Sequence, residues 1–367
     1  MRNTFGRNIR MTLFGASHQE HVGVILEGIP AGIPIDMEYM NKELAKRKAI
    51  DSLSTARHET DEPHIITGMK DGLTDGTALT IQFDNTNTRS QDYEILKHIA
   101  RPGHADYTAY VKYKGQNDMR GGGQFSGRMT VGIVATGSIF KKILEDNGVL
   151  IGSHILSLHG ISDRELSVDN LNEDIMQLNE SQFAVLDQSQ ASLMKQEILN
   201  ARQKNDSVGG VLETAVSGLE AGIGEPLFDS LESMLAHALF SIGGVKGVEF
   251  GNGFAAATLL GSENNDPMRI DNGRVITLTN NAGGINGGIT NGMPVIFKTA
   301  FKPTSSISIP QETIDFVKME NAVLELKGRH DPCIIHRARC VVDNITAFVV
   351  ADLLIESHGH EWLRSSI

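Results

Sequence analysis

The sequence predicts a mixed α and β fold built as one intertwined domain, and three observations carry that reading. Short apolar runs with strand character alternate with helical periodicity along the whole chain. One candidate helix, from Arg128 to about Glu145, begins MTVGIVATGSIF and is small and apolar on every side, the pattern of a helix buried at the centre of a molecule. The 38 glycines form no linker; they gather at Gly121-Gly122-Gly123, Gly243-Gly244, Gly283-Gly284 and Gly287-Gly288, between apolar segments. No repeat of fixed period is present. The triple glycine lacks the GxGxxG spacing and the strand–turn–helix setting of a dinucleotide fold.

The elements follow in order. Strands are expected at Arg10 to Phe14, Gly23 to Leu26, His64 to Met69 and Ala78 to Phe83, then at Val211 to Val216 and Pro294 to Ala300. Asp36 suits the N-cap of a helix reaching about Lys48, and Asp343 that of another reaching about Glu356. Gly132, Ala135, Gly137 and Ser138 would let neighbours approach the apolar helix closely. The stretch 166–204 is polar, Gln/Asn-rich and helical, without the glycine turns found elsewhere, and reads as a peripheral insertion in a single domain spanning 1–367. The terminal HGHEW reads as a loose, frayed tail.

Composition narrows the function. The chain has 367 residues and a net charge of −12, which argues against a nucleic-acid partner, since such binding needs a basic face. No apolar run approaches the ~20 residues of a membrane span. No secretory leader is evident, and Cys333 and Cys340 fit reduced thiols, so a cytoplasmic protein is expected. Neither cysteine has metal-type spacing to a histidine, and no metal is expected.

The segments that could carry chemistry each have an ordinary alternative. His18 ends an apolar strand in a small-residue turn, where it could ionise near neutral pH or simply be a loop histidine. Arg101-Pro102-Gly103-His104-Ala105-Asp106 offers an acid/base imidazole, with Asp106 either capping the next helix or orienting the ring. Gly121 to Arg128 opens a helix, so its backbone N–H groups, Ser126 and Arg128 could hold an anion, or merely cap. Lys302-Pro303-Thr304-Ser305-Ser306 suits a phosphate or the polar edge of a flavin, or is a polar loop. Arg329, His330 and Asp331 are a proton-handling group or a local ion pair. Arg47, Lys48 and Arg57 are a cationic patch or a solvated face.

Taken together, in order and over nearly the whole chain, the motifs resemble those of chorismate synthase. They are TFG, the GxSH turn, NTNTRSQDY at 85–93, RPGHADYTAYVKY, the RGGG…SGR turn, GVKGVEFGNGF at 244–254, NNAGGINGGITNG at 280–292, KPTSSI and GRHDPC. The resemblance implies an α+β fold of the β-α-β sandwich type, a homotetramer, and a lyase of the shikimate pathway. That enzyme makes chorismate by 1,4-anti elimination of phosphate from 5-enolpyruvylshikimate 3-phosphate, dependent on reduced FMN. It further implies that His18 protonates the departing phosphate, that His104 manages the proton on the reduced flavin, and that Asp331 assists removal of the substrate proton through the flavin. Flavin contacts would fall on Gln124, Phe125, Ser126, Gly243, Gly244, Gly287, Lys302, Pro303, Thr304, Ser305, Ser306 and Arg329. The anionic substrate would fall on Arg47, Arg57, Arg128 and Ser126, with Arg101, Lys302 and Arg337 as further cations.

The sequence departs from the family pattern at Ala16 and Gln19, at Gln124-Phe125, in a basic loop shortened at 48–52, and at His336, where proline is common. With no nicotinamide motif present, reduced flavin is expected from an outside reductase. The competing expectations are an FMN-binding paralogue with another substrate, or a non-catalytic assembly protein.

Overall fold

The computed structural model describes residues 3–50, 53–54, 60–86, 95–326 and 330–364. Arg57, Arg329 and most of the NTNTRSQDY motif lie outside the described residues. Two antiparallel sheets enclose a layer of helices. The first sheet comprises β1 (Thr4–Phe5), β2 (Arg10–Gly15), β3 (His21–Glu27), β4 (His64–Thr67) and β5 (Leu79–Asp84), in the order β1-β2-β3-β5-β4. The second comprises β6 (Leu150–Leu158), β7 (Ile161–Ser162), β8 (Gly210–Ser217), β9 (Val245–Phe250) and β10 (Val295–Phe301), in the order β9-β10-β8-β6-β7. The strands expected from apolar runs all form, displaced by a residue or two at their ends.

Between the sheets lie α3 (Thr130–Asp146), packed on β2, β3 and β5, and α7 (Ile335–His358), packed on β6 and β8. This is an α+β fold of the β-α-β sandwich type. The two helices meet almost backbone to backbone: a Cβ on Gly137 would stand 2.2 Å from the backbone oxygen of Asn344. Helix α1 (Met37–Ala45) covers α3, and Asp36 caps it by accepting the Tyr39 N–H at 2.8 Å. Lys141, wholly buried in α3, is tolerated because Glu43 of α1 meets it at 3.1 Å.

Two expectations are corrected. Asp343 is not a cap: α7 begins at Ile335, and Asp343 is fully buried in mid-helix, accepting from the Ser153 hydroxyl and facing Arg339 at 3.4 Å. The polar start of that helix, HRARC, reads as loop because its partners lie far away in sequence. The HGHEW segment is also ordered. It forms a 3-10 turn over His360–Arg364 with Leu363 fully buried and Trp362 packed on the core.

The stretch 166–204 forms α4 (Leu171–Glu180) and α5 (Gln188–Gln203), and Ile175, Leu178, Met194 and Ile198 are buried. Helix α4 covers the face of β6 opposite α7: Gly152 meets Ile175 of α4, whereas Ser153 bonds Asp343 of α7. No helix among the described residues is long and apolar enough to cross a membrane.

Candidate active site

The triple-glycine turn is the hub. Gly121, Gly122 and Gly123 have φ of 60°, 84° and 55°, a run of left-handed conformations that other residues adopt poorly. A Cβ on Gly121 would lie 2.1 Å from both Cε1 and Nδ1 of His18, so the bare backbone is what admits that ring. A Cβ on Gly122 would lie 3.7 Å from Cε1 and 3.8 Å from Nε2 of His104. Consecutive Cα atoms are only ~3.8 Å apart, so both imidazoles border on one turn. The His18 loop joins β2 to β3 and is pinned there by Ser17, whose N–H donates to the Gly123 carbonyl at 3.2 Å. A cleft of about 560 Å³, lined by His18, Gln19, His21 and Arg120 among others, opens beside it.

His104 is held from the other side. Its Nδ1 lies 2.9 Å from Oδ1 of Asp106 and 2.9 Å from Nη2 of Arg101. Carboxylate accepts and guanidinium donates, so Nδ1 has a partner whether or not it carries a proton. Arg101 in turn grips Asp106 with Nε at 2.8 Å, Nη2 at 2.7 Å and its backbone N–H at 2.9 Å. Burial pushes the Asp106 carboxyl up, but the hydrogen bonds and charges of Arg101 and His104 outweigh it and hold it well below the usual range. Asp106 makes no capping bond to helix α2 (Asp106–Tyr113); its carboxylate is taken up by Arg101 and the His104 ring.

The loop after β10 docks on this assembly. Arg101 Nη1 donates to the Ser306 hydroxyl at 3.1 Å, and both Lys302 Nζ and the Ser305 hydroxyl donate to the Gly103 carbonyl, at 2.6 and 2.8 Å. The Lys302 N–H donates to Gly244 at 2.9 Å, which brings in the Gly243-Gly244 turn, and a Cβ on Gly243 would lie 3.9 Å from the Phe125 carbonyl. Burial, with the charges of Lys246 and Arg101, lowers the Lys302 ammonium below its usual range, a tendency that an anion would reverse.

Asp331 joins the same ring. Its carbonyl accepts from Thr304 Oγ1 at 2.7 Å, and its carboxylate accepts from Arg337 at 3.0 Å. Arg337 also donates to the Arg47 carbonyl at 2.8 Å. Arg47 is not a solvated cation: it is buried, with Nε 3.2 Å from Asp61 Oδ2 and Nη1 bonded to Thr130. Arg128, equally buried, bonds Asp61 Oδ1 with Nη1, Asn85 Oδ1 with Nε at 2.8 Å, and the Asp84 carbonyl with Nη2 at 3.1 Å. Asn85 closes the circuit by donating to the carbonyls of Ala16 and Gln19 in the His18 loop, and Ser126 Oγ accepts the Arg128 N–H at 3.2 Å.

One expected contact is not brought to this cluster. Gly287 turns a hairpin before β10 begins, and its neighbour Gly288 packs on Glu225 and Ser230, whereas Lys302 follows the strand's end. The length of β10, roughly 20 Å at ~3.3 Å per residue, separates them. His336 is buried against Ser54, at 2.9 Å, and burial together with the Arg337 charge lowers it to about 4, so it stays neutral. Burial pushes the thiols of Cys333 and Cys340 up to about 12 and about 11, which excludes them as nucleophiles. Among the described residues no group of His, Cys, Asp and Glu is arranged to hold a metal. Sequence reasoning missed Asp61 and Thr130, and it quoted Asn85 only as the start of the NTNTRSQDY motif without a role; each of the three meets its arginine from a distant part of the chain.

Fold and site define a class: an α+β protein in which two imidazoles border one bare-backbone turn beside an open cleft. The comparisons particularise it. The family model described as chorismate synthase matches residues 9–355. The chain is 47% identical to the chorismate synthase of Pyrococcus abyssi, over 95% of its own length and 97% of the relative's. It is 43% identical to that of Thermococcus kodakarensis, over 97% and 98%. A crystal structure of chorismate synthase superposes with a TM-score of 0.76 at 27% identity, covering 99% of this chain and 97% of the other. The chain belongs to the chorismate synthase family, enzymes of the lyase class.

Proposed function

We propose that this chain makes chorismate by 1,4-anti elimination of phosphate from 5-enolpyruvylshikimate 3-phosphate, and that it needs reduced FMN to do so. The observation that carries the reading is the single glycine turn shared by His18 and His104. The substrate brings a phosphate and two carboxylates, while the chain as a whole is acidic, so binding requires cations gathered locally. Arg47, Arg128, Arg101, Lys302 and Arg337 belong to one hydrogen-bonded ring, and Arg57 is proposed to join them.

The elimination breaks the C–O bond to phosphate and a C–H bond, and charge grows on the departing oxygens. His18, against the glycine turn, gives that phosphate a proton. His104, with Nδ1 fixed, holds or releases a proton at Nε2, the nitrogen turned to the glycine turn. Asp331 is the carboxylate available to accept a proton.

The residues present fit a flavin. The turns at 121–123 and 243–244 offer backbone without side chains, and Lys302, Thr304, Ser305 and Ser306 supply a cation and hydroxyls for its polar edge and phosphate. Gln124 to Ser126, Gly243-Gly244 and Lys302 to Ser306 would hold it, and Arg329 is proposed as a further contact. Reduced flavin supplies electron density to the allylic system with no net redox change. A homotetramer is proposed from the family resemblance alone, with Gly287 as a further flavin contact, and an outside reductase is proposed to supply the reduced cofactor.

The test is phosphate release and chorismate formation under anaerobic conditions with photoreduced FMN. Turnover only when the flavin is reduced is expected. Flavin binding without phosphate release would refute the substrate assignment.

A further inference from the structure

We propose that Asp61 is a positioning residue for the anion site, a carboxylate that holds the guanidiniums of Arg47 and Arg128 side by side. The inference rests on the proposed role of those two arginines. Each oxygen of Asp61 takes a different one: Oδ2 receives Arg47 Nε at 3.2 Å, and Oδ1 receives Arg128 Nη1. All three groups are buried, with side-chain exposures of 5% for Asp61, 9% for Arg47 and 3% for Arg128.

The arginines arrive from unrelated places. Arg47 follows α1, and Arg128 precedes α3. Two cations at this depth repel one another unless an anion lies between them. Burial pushes the Asp61 carboxyl up, yet the charges and hydrogen bonds of Arg47 and Arg128 overcome it and hold the group below the usual carboxylate range. The backbone agrees. Asp61 has φ of 48°, in the left-handed region that aspartate and asparagine enter more readily than most residues.

The outer tethers complete the clamp: Thr130 takes Arg47, and Asn85 and the Asp84 carbonyl take Arg128. The cluster therefore carries a net charge of +1 in a fixed geometry, and a dianionic phosphate meets two aligned forks instead of two splayed side chains.

Asp61→Asn keeps the shape and the backbone preference and removes the charge. Its KM for the enolpyruvyl phosphate substrate should rise at least ~10-fold while kcat changes less than about threefold, because the lost alignment is made in the ground state as well. Thr130→Val, a milder change that removes one tether, should raise KM by ~3-fold or more with the fold retained. Should the Asn variant fail to fold, Thr130→Val decides the matter alone. An unchanged KM in a folded variant would reduce Asp61 to a structural ion pair, and a lowered KM would make it a competitor of the substrate; either result overturns the proposal. The failure of the functional reading is distinguishable, since then the wild type itself releases no phosphate.

Discussion

At His104 a carboxylate and a guanidinium share one ring nitrogen, and the other nitrogen is turned toward the glycine turn. At His154, on the outward face of β6, both nitrogens are committed: Nδ1 lies 2.9 Å from Asp163 and Nε2 lies 2.9 Å from Glu213, with no exposure at all. The Asp163 carboxylate also accepts the N–H groups of Leu186 and Asp187, and Glu213 accepts that of Leu166. That histidine is a rivet joining the 166–204 segment to the second sheet. The difference teaches that a buried His–Asp contact does not by itself assign a function: His154 spends both nitrogens on carboxylates, whereas His104 spends Nδ1 and turns Nε2 to the glycine turn.

Exchanging the two histidines for alanine breaks the comparison most sharply. His104→Ala, and likewise His18→Ala, should lower kcat by roughly 10²–10⁴ with little change in thermal midpoint. Phosphate-release rates and calorimetry on the same samples check this, and near-normal rates in both would remove their proposed roles. His154→Ala should do the reverse. It leaves two buried carboxylates facing each other without a cation and should cost about 3–5 kcal/mol of stability, while kcat per folded molecule stays as in the wild type. Denaturant unfolding and active-site titration separate the two quantities.

Next in size is Gly121→Ala. Its Cβ would stand 2.1 Å from the His18 ring, so the ring must move, and a displacement of order 1 Å costs roughly 10² in rate. Gly148→Ala, at another left-handed glycine with nothing near its Cβ, is the control and should leave kcat unchanged. Equal rates for the two variants would detach the glycine turn from His18.

The smallest effect is a pH dependence. Burial pulls His154 down, but its bonds to Asp163 and Glu213 prevail and raise it above its ordinary value of 6.5. Its contribution to stability is therefore fully present below about pH 6.5 and is lost as pH rises through the raised value. Asp163 is held low, chiefly against burial by its bond to His154, so its contribution is lost only in acid. The thermal midpoint of the wild type should fall relative to that of His154→Gln between pH 6 and 9. A difference that stays flat would show that the rivet carries no charge.

Much of this was legible beforehand, and the reason is local. Strands announce themselves by runs of apolar residues, the N-cap of α1 by Asp36, and the central helix by lacking any polar face. The motifs around His18, His104 and Lys302 could be named because each is a contiguous stretch. The start of α7, the order of the HGHEW segment and the roles of Asp61 and Asn85 were not legible, since each depends on a partner remote in the chain.

By itself, then, the amino-acid order determined the class of fold, the central apolar helix, the family and the contiguous stretches that make up the candidate site. Only the tertiary structure decided that His18 and His104 share a turn, that Arg47 and Arg128 share a carboxylate, and that Gly287 stands a strand's length away. Periodicity and caps are properties of neighbours a few residues apart, whereas the charge state and direction of a buried side chain are set by whatever the fold brings against it.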